Sequence, residues 1–174
     1  MNDMSQSPGD ELTAEQQWAQ FSTLATADDY VSSLRGRNLN VYLLGERVDE
    51  PVDHPIIRPS INAMAESYQL AEDDPDLATA WSSISEQQIN RFLHVPESSL
   101  DLVQKNKMQR RMGQLTGTCF QRCAGLDTLS VLFSITYDID KQHGTPYHER
   151  FVSFLKKAQS HNLIVGAGMT DPKG

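Results

Sequence analysis

The residues best suited to chemistry here are the only two cysteines, four apart in Cys119-Phe120-Gln121-Arg122-Cys123. On an α-helix, residues i and i+4 share a face with Cβ atoms roughly 5–6 Å apart. The flanking sequence reads as helix, so both thiolates can ligate one metal ion or one iron–sulfur cluster. Two ligands make half a site, because structural zinc and cubane clusters take four. A free cysteine also packs as a small hydrophobe, so spacing alone leaves a second reading open, in which both thiols are merely buried. The five histidines, His54, His94, His143, His148 and His161, are scattered singly. No Ser or Cys sits in a nucleophile elbow, and Gly166-Ala-Gly168 is too short for a dinucleotide fingerprint.

The elements that must position these residues are helical. Ser98 and Asp101 form a capping box at the start of the strongest periodic stretch. Leu100, Val103, Met108, Met112, Leu115, Cys119, Cys123, Leu126, Leu129 and Leu132 then recur mostly at three- and four-residue steps. That pattern predicts one helix of about ten turns with both cysteines on its inward stripe. Phe120, Phe133, Met108 and Met112 read as core. Lys105, Lys107, Arg111 and Arg122 read as a solvated face.

Upstream, residues 1–20 read as a flexible lead-in to the helical domain, its first dozen residues polar and mobile and order setting in from about Thr13. Thr26-Ala-Asp-Asp29 is a second capping box, opening a short helix through Tyr30, Val31 and Leu34 that Gly36 stops. Val41-Tyr-Leu-Leu-Gly-Glu-Arg-Val48 predicts a small β-hairpin. After Pro59, the positions Ile61, Met64, Ala65, Tyr68 and Leu70 predict a helix ending in the acidic linker Glu72-Asp-Asp-Pro-Asp76. Downstream of the Gly144-Thr-Pro146 break, a helix over Tyr147 to Gln159 places Phe151, Phe154 and Leu155 inward. Asn162 to Met169 then turns β-like, and Thr170-Asp-Pro-Lys-Gly174 has the chemistry of a turn. A lone strand and turn imply that a further domain follows and that this chain is an N-terminal portion.

A chain of 174 residues, 39% hydrophobic and 22% charged, has the profile of one soluble domain. Its net charge of -8 opposes a phosphate backbone, so nucleic acid is not an expected partner. No apolar run approaches the roughly 20 residues of a spanning helix, and residues 1–10 lack a signal peptide's basic and apolar regions, so a cytoplasmic protein without a membrane partner is expected. In that reducing setting two thiols point to burial, metal or redox chemistry rather than a disulfide.

The run Met108-Gln-Arg-Arg-Met-Gly-Gln-Leu-Thr-Gly-Thr-Cys119-Phe-Gln-Arg-Cys123-Ala-Gly-Leu-Asp127 resembles the cluster-binding helix of the 4-hydroxybutyryl-CoA dehydratases. Ser33-Leu-Arg-Gly-Arg37, the 41–48 hairpin, His54-Pro55, His143 to Phe151 and Val165 to Gly174 resemble the wider group, which includes the flavin-dependent 4-hydroxyphenylacetate 3-monooxygenases. The resemblance covers nearly everything from Thr26 to Gly174, and the Cys-x-x-x-Cys pair selects the dehydratase branch. It implies a mainly α chain: the N-terminal helical domain of an acyl-CoA-dehydrogenase-like fold over residues 21–160. A small β-hairpin and the first strand of a truncated, flavin-binding β middle domain at 161–174 complete it. It implies a [4Fe-4S] cluster held by Cys119 and Cys123 with a histidine and a third cysteine from much later in the chain. It also implies FAD bound in part by Met169, Thr170, Asp171, Pro172, Lys173 and Gly174. Gln121 would lie near the substrate and Arg110 would contact flavin or the substrate carbonyl. The implied reaction is dehydration of an acyl-CoA substrate, 4-hydroxybutyryl-CoA, to crotonyl-CoA, with vinylacetyl-CoA isomerase activity, in a homotetramer. Two alternatives stand beside it: an aromatic hydroxylase in which the cysteines are incidental, and an inactive helical fragment or interaction module.

Overall fold

The computed structural model describes residues 13, 16, 18–118 and 122–166, with the backbone alone for 122–127. The first element described over its full length, α1 (Ala27–Ser33), starts at the expected capping box. The Thr26 hydroxyl accepts from the Asp29 N–H at 3.1 Å, and the Asp29 carboxylate accepts from the N–H groups of Thr26 and Ala25. These satisfy donors that the first helical turn leaves orphaned. Gly36, just past the helix, takes φ +65 as expected of a stop.

The predicted hairpin forms from β1 (Val41–Leu43) and β2 (Glu46–Val48), with Val41 opposite Val48. Helix α2 (Arg58–Asp73) carries Pro59 in its first turn, where a missing N–H costs nothing. It buries Ile61, Ala65, Tyr68 and Leu70 and leaves Met64 partly covered. A four-residue helix, α3 (Pro75–Ala78), leads into a hairpin with no counterpart in the predicted elements, β3 (Thr79–Ser82) and β4 (Gln87–Asn90). Its buried positions are Ala80, Ser82, Ile89 and Asn90, half of them polar, so the apolar alternation that announces a strand is weak.

The long predicted helix is two helices. Helix α4 (Ser99–Thr116) starts at the Ser98–Asp101 capping box and ends at Gly117, whose φ of +65 is left-handed and whose N–H donates to the Gly113 carbonyl. Helix α5 (Arg122–His143) follows, and α6 (Tyr147–Ser160) packs against it. The break overturns the continuous stripe. Met108 and Met112 are fully buried and Leu129 nearly so, whereas Leu100, Val103, Leu115 and Leu132 are exposed. A left-handed residue turns the chain out of the helix axis, so positions before Gly117 share no phase with those after it; Leu100, Val103 and Leu115 are exposed within α4 itself, independently of the break. Phe154, expected inward, is also exposed, while Phe151 and Phe133 are partly buried and Leu155 is fully so.

Among the described residues, three apolar clusters hold the elements together. Leu24, Tyr30, Val52, Ile61, Ala65 and Tyr68 join α1 to α2, with Leu163 and Ile164 packed on them. Leu70, Ala78, Met108 and Met112 join α2, α3 and α4. Ile89, Leu93, Leu129 and Leu155 join the second hairpin to α5 and α6. Each fully buried side chain of this size stabilises the fold by about 1.5–3 kcal/mol relative to exposure. Between the second and third clusters runs a satisfied polar seam. The Ser82 hydroxyl donates to Gln159 Oε1 at 2.8 Å, and Gln159 Nε2 donates to the Leu93 carbonyl at 2.9 Å. The Arg91 guanidinium donates to the carbonyls of Leu77, Asp76 and Thr79. No helix among the described residues is long and apolar enough to cross a membrane.

Candidate functional site

The cysteine segment falls at the junction of α4 and α5. Cys119 and Gln121 lie outside the described residues, as does Phe120, and Cys123 is the second residue of α5, its side chain likewise outside. The helix break removes the shared-face argument for the pair, since α4 ends at Thr116. The donor chemistry still suits a cluster. Cys123 belongs to the first turn of a 22-residue helix, and cysteine is the residue type that iron–sulfur clusters take as ligand. Two thiolates match half of a cubane's ligand set. Among the described residues, no three of His, Cys, Asp or Glu come together in a metal-holding group.

Arg110 is exposed on α4, away from the buried Met108 and Met112. Lys107 and Arg111 are exposed as expected, but Lys105 is not: it is 5% exposed, and its ammonium donates to the His94 carbonyl at 2.9 Å. Lys105 shares a face with Met108 and Met112, so the solvated-face reading fails for this residue. Its long apolar stem packs while its head finds a backbone acceptor. His94 beside it is 4% exposed, and burial holds its pKa below the ordinary histidine value. Burial would raise the Asp101 carboxyl. The Ser98 hydroxyl and the Glu97 and Ser98 N–H groups outweigh that and hold it low.

The expected flavin segment, Met169, Thr170, Asp171, Pro172, Lys173 and Gly174, lies outside the described residues. Its hydroxyl, ammonium and backbone N–H groups are donors of the kind that flavin carbonyls and a pyrophosphate accept. The described residues 163–166 that lead toward it form no strand. Their departure from α6 is nevertheless closely held. Asn162 takes φ +52, its N–H donates to the Gln159 carbonyl at 3.1 Å, and the Leu163 N–H donates to the Ala158 carbonyl at 3.0 Å. That pair of bonds is a Schellman ending with Asn in the left-handed position. The Tyr68 hydroxyl donates to the Asn162 carbonyl at 2.7 Å, and Asn162 Nδ2 donates to the Leu24 carbonyl at 2.8 Å. From the sequence, Tyr68 reads only as core and Asn162 only as the start of a β-like stretch. An asparagine directly after a helix is the signal that was present.

Residues 26–174 match the family described as 4-hydroxyphenylacetate 3-hydroxylase N terminal, and the chain belongs to that family. Within it, the chain is 50% identical over 153 residues to the 4-hydroxybutyryl-CoA dehydratase/vinylacetyl-CoA-Δ-isomerase of Clostridium aminobutyricum, covering 87% of this chain and 31% of that protein. It is 35% identical over 48 residues to the 4-hydroxyphenylacetate 3-monooxygenase oxygenase component of Thermus thermophilus, covering 28% of this chain and 10% of the relative. The solved oxygen-tolerant archaeal 4-hydroxybutyryl-CoA dehydratase from N. maritimus superposes with a TM-score of 0.83 at 60% identity, over 87% of this chain and 30% of that one. The chain therefore spans under a third of the length of both dehydratases. The expected fold class holds: mainly helical with small antiparallel hairpins, like the N-terminal part of an acyl-CoA-dehydrogenase-like dehydratase.

Proposed function

We propose that this chain is the N-terminal part of an FAD- and [4Fe-4S]-dependent dehydratase that converts 4-hydroxybutyryl-CoA to crotonyl-CoA and water and isomerises vinylacetyl-CoA. The observation that carries the reading is 50% identity across 87% of the chain to a protein of that activity. The hydroxylase alternative rests on 48 residues. In this reading residues 21–160 are the helical domain and 161–174 open the flavin-binding β domain. The assembly is a cytoplasmic homotetramer.

The reaction is redox-neutral overall, yet the hydrogen β to the thioester is scarcely acidic, so acid–base groups alone are inadequate. When bound, the cofactors supply transient one-electron oxidation and Lewis acidity toward the departing hydroxyl. The chain's own residues have simpler tasks. Cys119 and Cys123 would hold iron as thiolates. Gln121, between them, offers its amide to the substrate hydroxyl or thioester oxygen. Arg110 brings a fixed positive charge toward the substrate carbonyl or the flavin. Met169, Thr170, Asp171, Pro172, Lys173 and Gly174 form one edge of the flavin site.

Two assays of the complete enzyme distinguish the readings, one anaerobic with 4-hydroxybutyryl-CoA and one aerobic with 4-hydroxyphenylacetate. Formation of crotonyl-CoA from 4-hydroxybutyryl-CoA is expected. Hydroxylation of 4-hydroxyphenylacetate with reduced flavin and oxygen, and no crotonyl-CoA, would transfer the chain to the hydroxylase branch.

A further inference from the structure

Helix α4 carries its charge against the trend of the chain. The protein has a net charge of -8, yet α4 holds Lys105, Lys107, Arg110 and Arg111 against a single carboxylate, Asp101, which the capping box engages. Lys105 is buried, whereas Lys107, Arg110 and Arg111 are exposed. Arg110 and Arg111 follow Lys107 by three and four residues, so the three cations share one face of the helix. A face that is merely solvated ordinarily alternates the sign of its charges, with opposite charges at these spacings supporting the helix. Here no carboxylate stands three or four residues from any of the three, and Lys107 has an arginine at each spacing, an arrangement that repels itself. None of them enters an ion pair among the described residues. Nor does any stand in the last turn, where the helix dipole would favour a cation. Toward the start of α4 the same face becomes apolar, with Val103 47% and Leu100 63% exposed. A cationic and an apolar half therefore adjoin on one exposed strip, Leu100 and Lys107 lying about 10 Å apart along the axis at 1.5 Å per residue.

We infer that this face of α4 binds the adenosine diphosphate moiety that acyl-CoA and FAD have in common, with Lys107 and Arg111 on the pyrophosphate and Leu100 and Val103 against the adenine. The choice of ligand rests on the proposed function, whereas the site rests on the face itself. A pyrophosphate is a compact anion whose oxygens accept charge-assisted hydrogen bonds from an ammonium and a guanidinium at once. Bound there, it relieves the repulsion between the two cations. The adenine presents a planar surface to the apolar half, and the ribose spaces it from the phosphates as Leu100 is spaced from Lys107. Arg110, turned further round the helix than either, keeps its separate task.

The test uses the complete enzyme, depleted of FAD, in three forms: wild type, Lys107→Gln with Arg111→Gln, and the control Lys141→Gln with Lys156→Gln. The control removes the same charge from exposed positions on α5 and α6. ADP is titrated into each by calorimetry at a temperature where melting curves show all three folded, and dissociation constants for FAD and 4-hydroxybutyryl-CoA are then measured. ADP is expected to bind wild type and control alike, and the α4 variant more weakly by roughly tenfold. The ligand whose own affinity falls in step, FAD or the acyl-CoA, is the one whose adenosine diphosphate the face holds. No ADP binding by wild type, equal ADP affinity in all three forms, or equal weakening in the control would each overturn the inference. So would a loss of ADP affinity in the α4 variant that leaves the binding of both FAD and 4-hydroxybutyryl-CoA unchanged. ADP binding that depends on Lys107 and Arg111, in a wild-type enzyme with affinity for neither FAD nor 4-hydroxybutyryl-CoA, would instead overturn the functional reading.

Discussion

Lys105 shows how a single residue escapes a pattern argument. Three other cations of the same stretch of sequence, Lys107, Arg111 and Arg122, invite a solvated-face reading, but helical phase puts Lys105 with Met108 and Met112. Lys105→Ala is expected to destabilise the fold by about 1–3 kcal/mol, since it strips a buried carbonyl of its donor. A solvated-face lysine would cost under about 0.5 kcal/mol, and urea denaturation separates the two. The neighbouring His94 gives the fold an acid-sensitive element. Its native pKa is depressed by burial, so on acidification the unfolded chain takes up a proton first, near pH 6.5. Stability is therefore expected to fall as pH drops from about 6.5 toward the lower native pKa. Urea midpoints between pH 7.5 and 5 check this, and His94→Gln should flatten the slope. An equally steep slope in that variant would place the titration elsewhere.

At the scale of elements, what was legible were the local signals with strong chemistry. Both capping boxes, at Thr26 and Ser98, open helices where expected, because a side-chain oxygen three residues from its N–H partner needs no tertiary context. The second hairpin was not legible, because its inward positions include Ser82 and Asn90, whose polarity only makes sense once Gln159 and Ser67 are seen to pair with them. The helix break at Gly117 carried a signal, a glycine after Thr116, that the three-and-four periodicity overrode. Two glycines four residues apart now make a paired test. Gly117→Ala forces a left-handed alanine with no contact to relieve, and should cost about 1–2 kcal/mol. Gly113→Ala sits in regular helix with only an ordinary contact to the Thr118 carbonyl at 3.7 Å, and should stabilise by about 0.5–1 kcal/mol. Thermal melts of the two variants should move in opposite directions. Shifts of the same sign would mean that α4 does not end at Gly117.

For the whole molecule, the resemblance carried by the cysteine run and the flanking segments is matched by a family assignment over residues 26–174 and by close relatives of dehydratase activity. Composition could not supply this, since an acidic helical domain is compatible with many activities. Nor could spacing alone, because two cysteines at i, i+4 fit burial as well as ligation. Two cysteines also bound what these 174 residues can do, because a cubane cluster takes four ligands. The 174-residue chain by itself is expected to form no crotonyl-CoA from 4-hydroxybutyryl-CoA, and turnover by the purified chain would show that the remaining two-thirds of the relatives' length is dispensable. The measurement that bears most directly on the proposed activity is iron content after anaerobic purification of the complete enzyme, as wild type and as Cys119→Ala. About four irons per chain are expected in the wild type, with the cluster lost in the variant. A full complement of iron in Cys119→Ala, or none in the wild type, would contradict the assignment of this segment as half of an iron–sulfur site.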